Sequence, residues 1–184
     1  HEECSVCGYQ KAAVVIPVTG KEETTNEQPS NTNTLTVGQV VVNKADGSFY
    51  TIKKNAGKVH EVEYKAPKNK KQTKIVVPDT IKINGVTYKV TSIAKNAFKN
   101  NKKLKTVTVG KNVSKMGANV FTGCKKLKTI TIKSTKLTAK TLSKSTFKGI
   151  TKAKTIKVPK KKLSAYKKLF KNSGLSAKVK VKAY

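Results

Sequence analysis

The sequence predicts an α/β solenoid of about three stacked coils, each a strand plus a short helical turn, closed by an N-terminal β-hairpin cap and a C-terminal helix–strand cap. Three observations predict it. An apolar pattern beginning at Val90 recurs 23 residues later: Val90, Ile93, Ala97-Phe98, Asn101, Leu104, Val107 and Val109 return as Val113, Met116, Val120-Phe121, Cys124, Leu127, Ile130 and Ile132. A third copy (Phe147, Ile150, Ala153, Ile156, Val158) follows at a shift of 26. Finally, turn signals and alternating strands precede the repeat, and a helical spacing follows it.

The elements read in order. Residues 1–20 hold Cys4-Ser5-Val6-Cys7-Gly8 and a strand-like Ala12-Ala13-Val14-Val15-Ile16, and are expected to be the remnant of an upstream Cys-x-x-Cys module, a reading that rests on the resemblance given below. Residues 21–35 are polar, carry Pro29 and lack a hydrophobic period, which is the composition of a flexible linker. In 36–89, Val37 to Val42 and Phe49 to Ile52 flank the turn signal Asp46-Gly47, Val59 to Tyr64 alternates, and Asn84-Gly85 joins Ile81-Lys82-Ile83 to Val86 through Val90. These hairpins cap the first coil. Across 90–158, Leu-x-x-Val-x-Val makes a short strand and the Ala-Phe pair closes the coil on its other side. One coil cannot bury its own apolar face, so neighbours stack. In the cap at 159–184, Pro159 ends the last strand, and Leu163, Tyr166, Leu169 and Phe170 repeat at helical spacing. Gly174 stops that helix and Val179-Lys180-Val181 returns as a strand.

Charge narrows the function. Of 184 residues, 40 are basic and 9 acidic, a formal net charge of +31. Every basic residue is Lys, there are 2 His, and neither Arg nor Trp occurs. Without Arg the bidentate reading of guanine is missing, which argues against sequence-specific nucleic-acid recognition. Residues 80–184 carry 29 Lys and no acid, so no salt-bridge network can form within them. No apolar run approaches the roughly 18–20 residues of a membrane span. No paired carboxylates follow Asp79, and no Ser/His/Asp or Cys/His set is present, so no enzyme is expected and no cofactor is implied. The chain starts at His1 and reads as a piece of something longer.

The pattern Ile-x-x-x-Ala-Phe-x-x-Cys/Asn-x-x-Leu-x-x-Ile-x-Ile resembles the BspA-type (Treponema pallidum-type) leucine-rich repeats of bacterial surface proteins. The lead-in Ile75-Val76-Val77-Pro78-Asp79, followed by Gly85 to Ile93, looks like the start of such arrays. The resemblance covers 75–184 well and 36–74 loosely. It implies a secreted or surface-displayed bacterial protein engaged in adhesion to host or bacterial surface proteins, and it brings no catalytic residues. The segment around Cys4 and Cys7 resembles the tail of a Cys-x-x-Cys-Gly repeat found beside such arrays.

Candidate contact residues follow from the repeat register. Thr106 and Thr108 align with Thr129 and Thr131, then with Thr155 and Lys157, on the exposed strand face. Lys105, Lys128 and Lys154 form a column beside it, accompanied by Lys102 with Lys125 and Lys103 with Lys126. Threonines suit a sheet surface for propensity alone, and lysines for solubility alone. As a binding surface, the strand face and the lysine ladders suit proteins or anionic glycopolymers; diffuse binding of any polyanion is the alternative, with nucleic acid disfavoured. A monomer is expected. Cys4 and Cys7, with His1 nearby, have zinc-knuckle spacing but lack a second half-site, leaving a disulfide or a metal module open. Cys124 reads as a buried, inert thiol, and His60, near Glu61 and Glu63 on an alternating strand, as surface.

Overall fold

Turn chemistry organises the first half of the chain. The computed structural model describes residues 35–150 and 155–184. Strand β1 (Val40–Val42) pairs antiparallel with β2 (Phe49–Ala56), and β2 with β3 (Val59–Ala66). Strands β5 (Thr80–Ile83) and β6 (Val86–Ile93) are joined by Asn84 and Gly85, whose φ angles of 49° and 80° are the two positive values of a type I′ hairpin. Parallel pairing of β3 with β6 completes a sheet ordered β1-β2-β3-β6-β5. Its inner face buries Tyr50, Ile52, Val62, Tyr64, Tyr88 and Val90.

The second sheet is the solenoid's long face. Strands β4 (Lys74–Val77), β7 (Thr106–Val109), β9 (Thr129–Ile132), β10 (Thr155–Val158) and β11 (Lys180–Ala183) are all parallel and in register. Alternation decides which residues face inward: Ile75, Val107, Ile130, Ile156 and Val181 make one inner row, and Val77, Val109, Ile132, Val158 and Ala183 the next. The three central rungs come from the repeat. The flanking two come from 36–89 and from the C-terminal cap.

On the opposite side, β8 (Lys115–Met116) pairs with β6, and Met116 bridges to Leu142. Between these ladders the expected short helical turn takes the form of successive i→i+3 turns, such as Ala97 N to Ala94 O and Lys99 N to Asn96 O. The turns do not grow into helices because Asn96 and Asn100 (both φ 62°) and Asn119 (φ 55°) adopt left-handed backbone. Intervening N–H groups instead donate to the next coil: Asn96 to Ala118, Phe98 to Val120 and Asn100 to Thr122.

Each coil places one aromatic ring on the axis. Tyr64, Phe98, Phe121, Phe147 and Phe170 follow one another at centroid separations of 5.4, 5.6, 5.8 and 4.8 Å, all essentially inaccessible to solvent. Tyr50 meets Tyr64 edge-on at one end, and Tyr166 packs on Phe170 at the other. A fully buried aromatic of this kind contributes on the order of 1.5–3 kcal/mol through burial alone.

The C-terminal cap is a 3-10 turn (Lys160–Lys162) running into helix α1 (Leu163–Lys171), which buries Tyr166 and Phe170; Gly174 follows at φ 84°. This helix also tethers the irregular coil. Val109 and Met116 are 7 residues apart, whereas their counterparts Ile132 and Leu142 are 10 apart, so the three extra residues fall between Ile132 and Leu142. There the Tyr166 hydroxyl donates to Ser134 O (3.1 Å) and accepts from Leu137 N (3.2 Å).

Candidate binding face

Stacking in register turns the outward positions of the long sheet into two straight rows. One runs Lys74, Thr106, Thr129, Thr155, Lys180; the other runs Val76, Thr108, Thr131, Lys157, Lys182. Adjacent strands lie about 4.8 Å apart, so each row is a column of evenly spaced side chains. Thr106, Thr108, Thr129, Thr131, Thr155 and Lys157 are half-buried, as expected of short side chains shoulder to shoulder on a flat sheet. Longer lysines occupy both ends of the first row and the C-terminal end of the second, which starts at the exposed Val76.

Beside the rows runs the lysine ridge. The carbonyl of Thr73 accepts from the N–H groups of Lys105 and Thr106, and the carbonyl of Lys105 accepts from those of Lys128 and Thr129. That repeated arrangement stacks Lys128 on Lys105, with both side chains exposed. Lys154, placed in the same column by its sequence, lies outside the described residues, as do Cys4 and Cys7. Exposed Lys102 and Lys103 are matched by Lys125 and Lys126. Carrying the β4–β7 register back brings in Lys70 and Lys71, a continuation that sequence reasoning missed. The signal was there, since Lys70-Lys71-Gln72-Thr73-Lys74 parallels Lys102-Lys103-Leu104-Lys105-Thr106. It sits at a spacing of 32 rather than 23, because the β5–β6 hairpin intervenes.

Little opposes this positive charge. Among the described residues the acids are Asp46, Glu61, Glu63 and Asp79, all at the N-terminal end. Glu61 accepts from Thr91 Oγ1 and Glu63 from Ser92 Oγ, each at 3.3 Å. Asp79 takes the backbone N–H of Lys111 (2.6 Å) and pairs with the same residue's Nζ at 3.5 Å. No group of three or more His, Cys, Asp or Glu gathers among the described residues to hold a metal. No helix there is long and apolar enough to cross a membrane.

Two residues singled out in the sequence are structural. Cys124 is buried, its Sγ donating to Phe98 O at 3.0 Å, and burial pushes its thiol up to about 11. A thiol so held is neutral and unreactive at neutral pH. His60 differs from the surface reading: it is half-buried against the Tyr88 ring (5.2 Å), with Nδ1 2.8 Å from Asn55 Oδ1, which also accepts from the Tyr88 hydroxyl. Sequence could not show this, because Asn55 lies on the neighbouring strand.

The sequence profile describing the BspA type leucine rich repeat region matches residues 60–183, in six copies. The chain belongs to the BspA-type leucine-rich repeat family. Solved structures similar to this BspA-type chain include a leucine rich cell surface protein from Faecalibacterium prausnitzii A2-165, 20% identical with a TM-score of 0.42, covering 79% of this chain and 32% of that one. A leucine-rich repeat protein from Bacteroides ovatus ATCC 8483 is 17% identical with a TM-score of 0.48, covering 81% and 37%. The pneumococcal vaccine antigen PcpA is 12% identical with a TM-score of 0.30, covering 81% and 47%. The BspA-type chain thus spans less than half the length of each of these structures. A search of the curated proteins finds no match.

Proposed function

We propose that this chain is a non-catalytic interaction module of a secreted or surface-displayed bacterial protein, and that it acts in adhesion. Its contact surface is the outer face of the long sheet together with the lysine ridge. The observation that carries this reading is the face itself: two straight rows over five rungs, threonine at the centre, lysine at the C-terminal end of both and Lys74 with the exposed Val76 at the other end. A flat, rigid array whose backbone is already paired loses little conformational entropy on binding, so small side chains can contribute by shape and hydrogen bonding. Flanking lysines on flexible stems supply attraction to anionic groups and speed encounter without reading a particular geometry. The partners that fit are surface proteins with an acidic patch, or anionic glycopolymers.

Sequence-independent polyanion binding is the second reading, supported by the unopposed positive charge of residues 80–184. One experiment separates the two. The full chain is titrated with matrix proteins, a sulfated glycan, a teichoic acid and duplex DNA across a salt series. Each titration is repeated with Thr106, Thr108, Thr129 and Thr131 changed to Glu, folding being checked by circular dichroism. Binding to one partner that survives high salt and is lost in the quadruple variant supports the specific face. Equal binding to every polyanion, all of it lost with salt, refutes that face and leaves generic electrostatics.

A further inference from the structure

The N-terminal end of the long sheet carries an open strand edge beside a groove. Among the described residues, strand β4 pairs on one side only, with β7, and β5 is likewise the last strand of its own sheet. A groove of about 620 Å³ lies along β4 and β5 and is closed on its far side by the β1–β2 turn. Its wall includes Lys44, Lys74 and Lys82, with Val76 exposed at its rim. The one carboxylate lining it, Asp46, is already engaged: it accepts from Asn43 Nδ2 (3.0 Å), Ser48 N (2.8 Å) and the Tyr50 hydroxyl (3.4 Å). The groove therefore presents cations without a free anion.

A second, independent feature sits in the same wall. Gln72 takes the position that Leu104 and Leu127 fill in the next two coils. Its Oε1 is shut away from solvent and has no hydrogen-bond donor. A buried acceptor without a donor costs about 1–3 kcal/mol, a cost that leucine at this position would avoid. A polar side chain in the apolar register, lining the groove beside an unpaired strand edge, suits a ligand that brings N–H groups.

We propose that this groove binds an extended acidic peptide, which adds to the β4 edge as a further strand. Main-chain hydrogen bonds to β4 provide affinity, the Gln72 side chain turns its amide into the groove to accept a peptide N–H, and Lys44, Lys74 and Lys82 select carboxylate side chains. The four residues of β4 set the length of the paired segment. This site adjoins the outer face and shares Lys74 and Val76 with the first rung of its rows, but its test changes neither residue, so its failure leaves the adhesion reading untouched.

The test uses the full chain and a fluorescein-labelled peptide of alternating Glu and Val, followed by fluorescence anisotropy at physiological salt. Gln72→Leu lowers affinity about fivefold while raising the melting temperature. Lys44→Ala with Lys82→Ala weakens binding, whereas Lys160→Ala, Lys161→Ala and Lys162→Ala together, a larger loss of charge elsewhere, leave it unchanged. A peptide N-methylated at alternate backbone nitrogens binds at least about tenfold more weakly, having lost its strand-pairing donors. The proposal is overturned if the N-methylated peptide binds as well as its parent, if Gln72→Leu leaves affinity unchanged, or if the Lys160–Lys162 variant loses as much as the groove variant.

Discussion

Replacing Phe121 by Ala tests whether the aromatic column is what couples the coils. The ring is fully buried between Phe98 at 5.6 Å and Phe147 at 5.8 Å. Truncating a core Phe to Ala costs about 3–5 kcal/mol, and each aromatic neighbour adds about 0.5–1.5 kcal/mol, partly counted in the first figure. The expected loss is about 4 kcal/mol, a large part of the roughly 5–15 kcal/mol that holds a domain together. Phe121→Leu keeps most of the volume and loses only the ring contacts, so it costs about 1–2 kcal/mol. Because each coil touches only its neighbours, a gap at the centre also divides the array into a half ending at Phe98 and a half beginning at Phe147. Cys124 reports on that division. In a Cys4→Ser, Cys7→Ser background it is the only thiol, and it reacts with an alkylating reagent only when its coil opens. Urea titrations followed by far-ultraviolet circular dichroism, with pulsed alkylation alongside, should show Cys124 reacting at lower urea than the main loss of ellipticity in Phe121→Ala, and coincident transitions in the parent. A loss below about 1.5 kcal/mol for Phe121→Ala, with coincident transitions, would refute the coupling argument.

Four further outcomes are expected. Alkaline pH should destabilise the protein: burial raises the hydroxyls of Tyr50, Tyr64, Tyr88 and Tyr166 above the ordinary value of 10.0 and the Cys124 thiol from 9.0 to about 11. The folded state then holds protons that the unfolded chain releases, so stability is intact below pH 9 and falls as pH rises past 10, read as a declining urea midpoint. Added salt should raise the melting temperature, because the stacked lysines repel one another and screening relieves them; an unchanged or lower value between about 10 mM and 300 mM salt would contradict this. Asn101 is fully buried with both side-chain amide atoms unpartnered, so Asn101→Cys, copying Cys124, should stabilise by about 1–3 kcal/mol in urea unfolding. Gly123 has φ 77° and an added Cβ would collide with Asn100 Oδ1, so Gly123→Ala should cost about 1–2 kcal/mol from the backbone strain alone. Combined with Asn100→Gly the loss should shrink, a coupling that a double-mutant cycle measures.

Local chemistry explains how much of this was readable beforehand. The period of 23 placed β7 and β9 with their inward and outward residues, because strand alternation and coil length both leave marks in the sequence. Asn84-Gly85 and the Leu163, Tyr166, Leu169, Phe170 spacing were equally legible, since turn type and helix face depend on neighbouring residues. The contacts made between elements far apart in sequence were not legible. Tyr64 joins the column 34 residues before Phe98, off the period, because the β5–β6 hairpin and the β4 rung lie between them. The i→i+3 turns around Ala97 look helical from composition, and the left-handed Asn96 and Asn100, with N–H groups drawn toward the next coil, keep them open. The threonine rows were recognisable, but their lysine ends were not, since Lys74 and Lys180 become neighbours of the rows only through strand pairing.

The confinement of acidic residues to one end has a consequence for how the molecule moves. Residues 35–79 carry nine lysines and four acids, whereas residues 80–184 carry 29 lysines and no acid. Along the stacking direction the charge density therefore climbs from the hairpins toward α1 and β11. Near any negatively charged sheet of polymer or lipid headgroups, that gradient exerts a torque within the screening distance of about 8 Å and swings the α1 end inward. The threonine rows, which run along the stacking direction, are then tilted out of the plane of that surface, with the β4 edge turned away from it. A solenoid turned this way keeps its flat side available to whatever lies alongside.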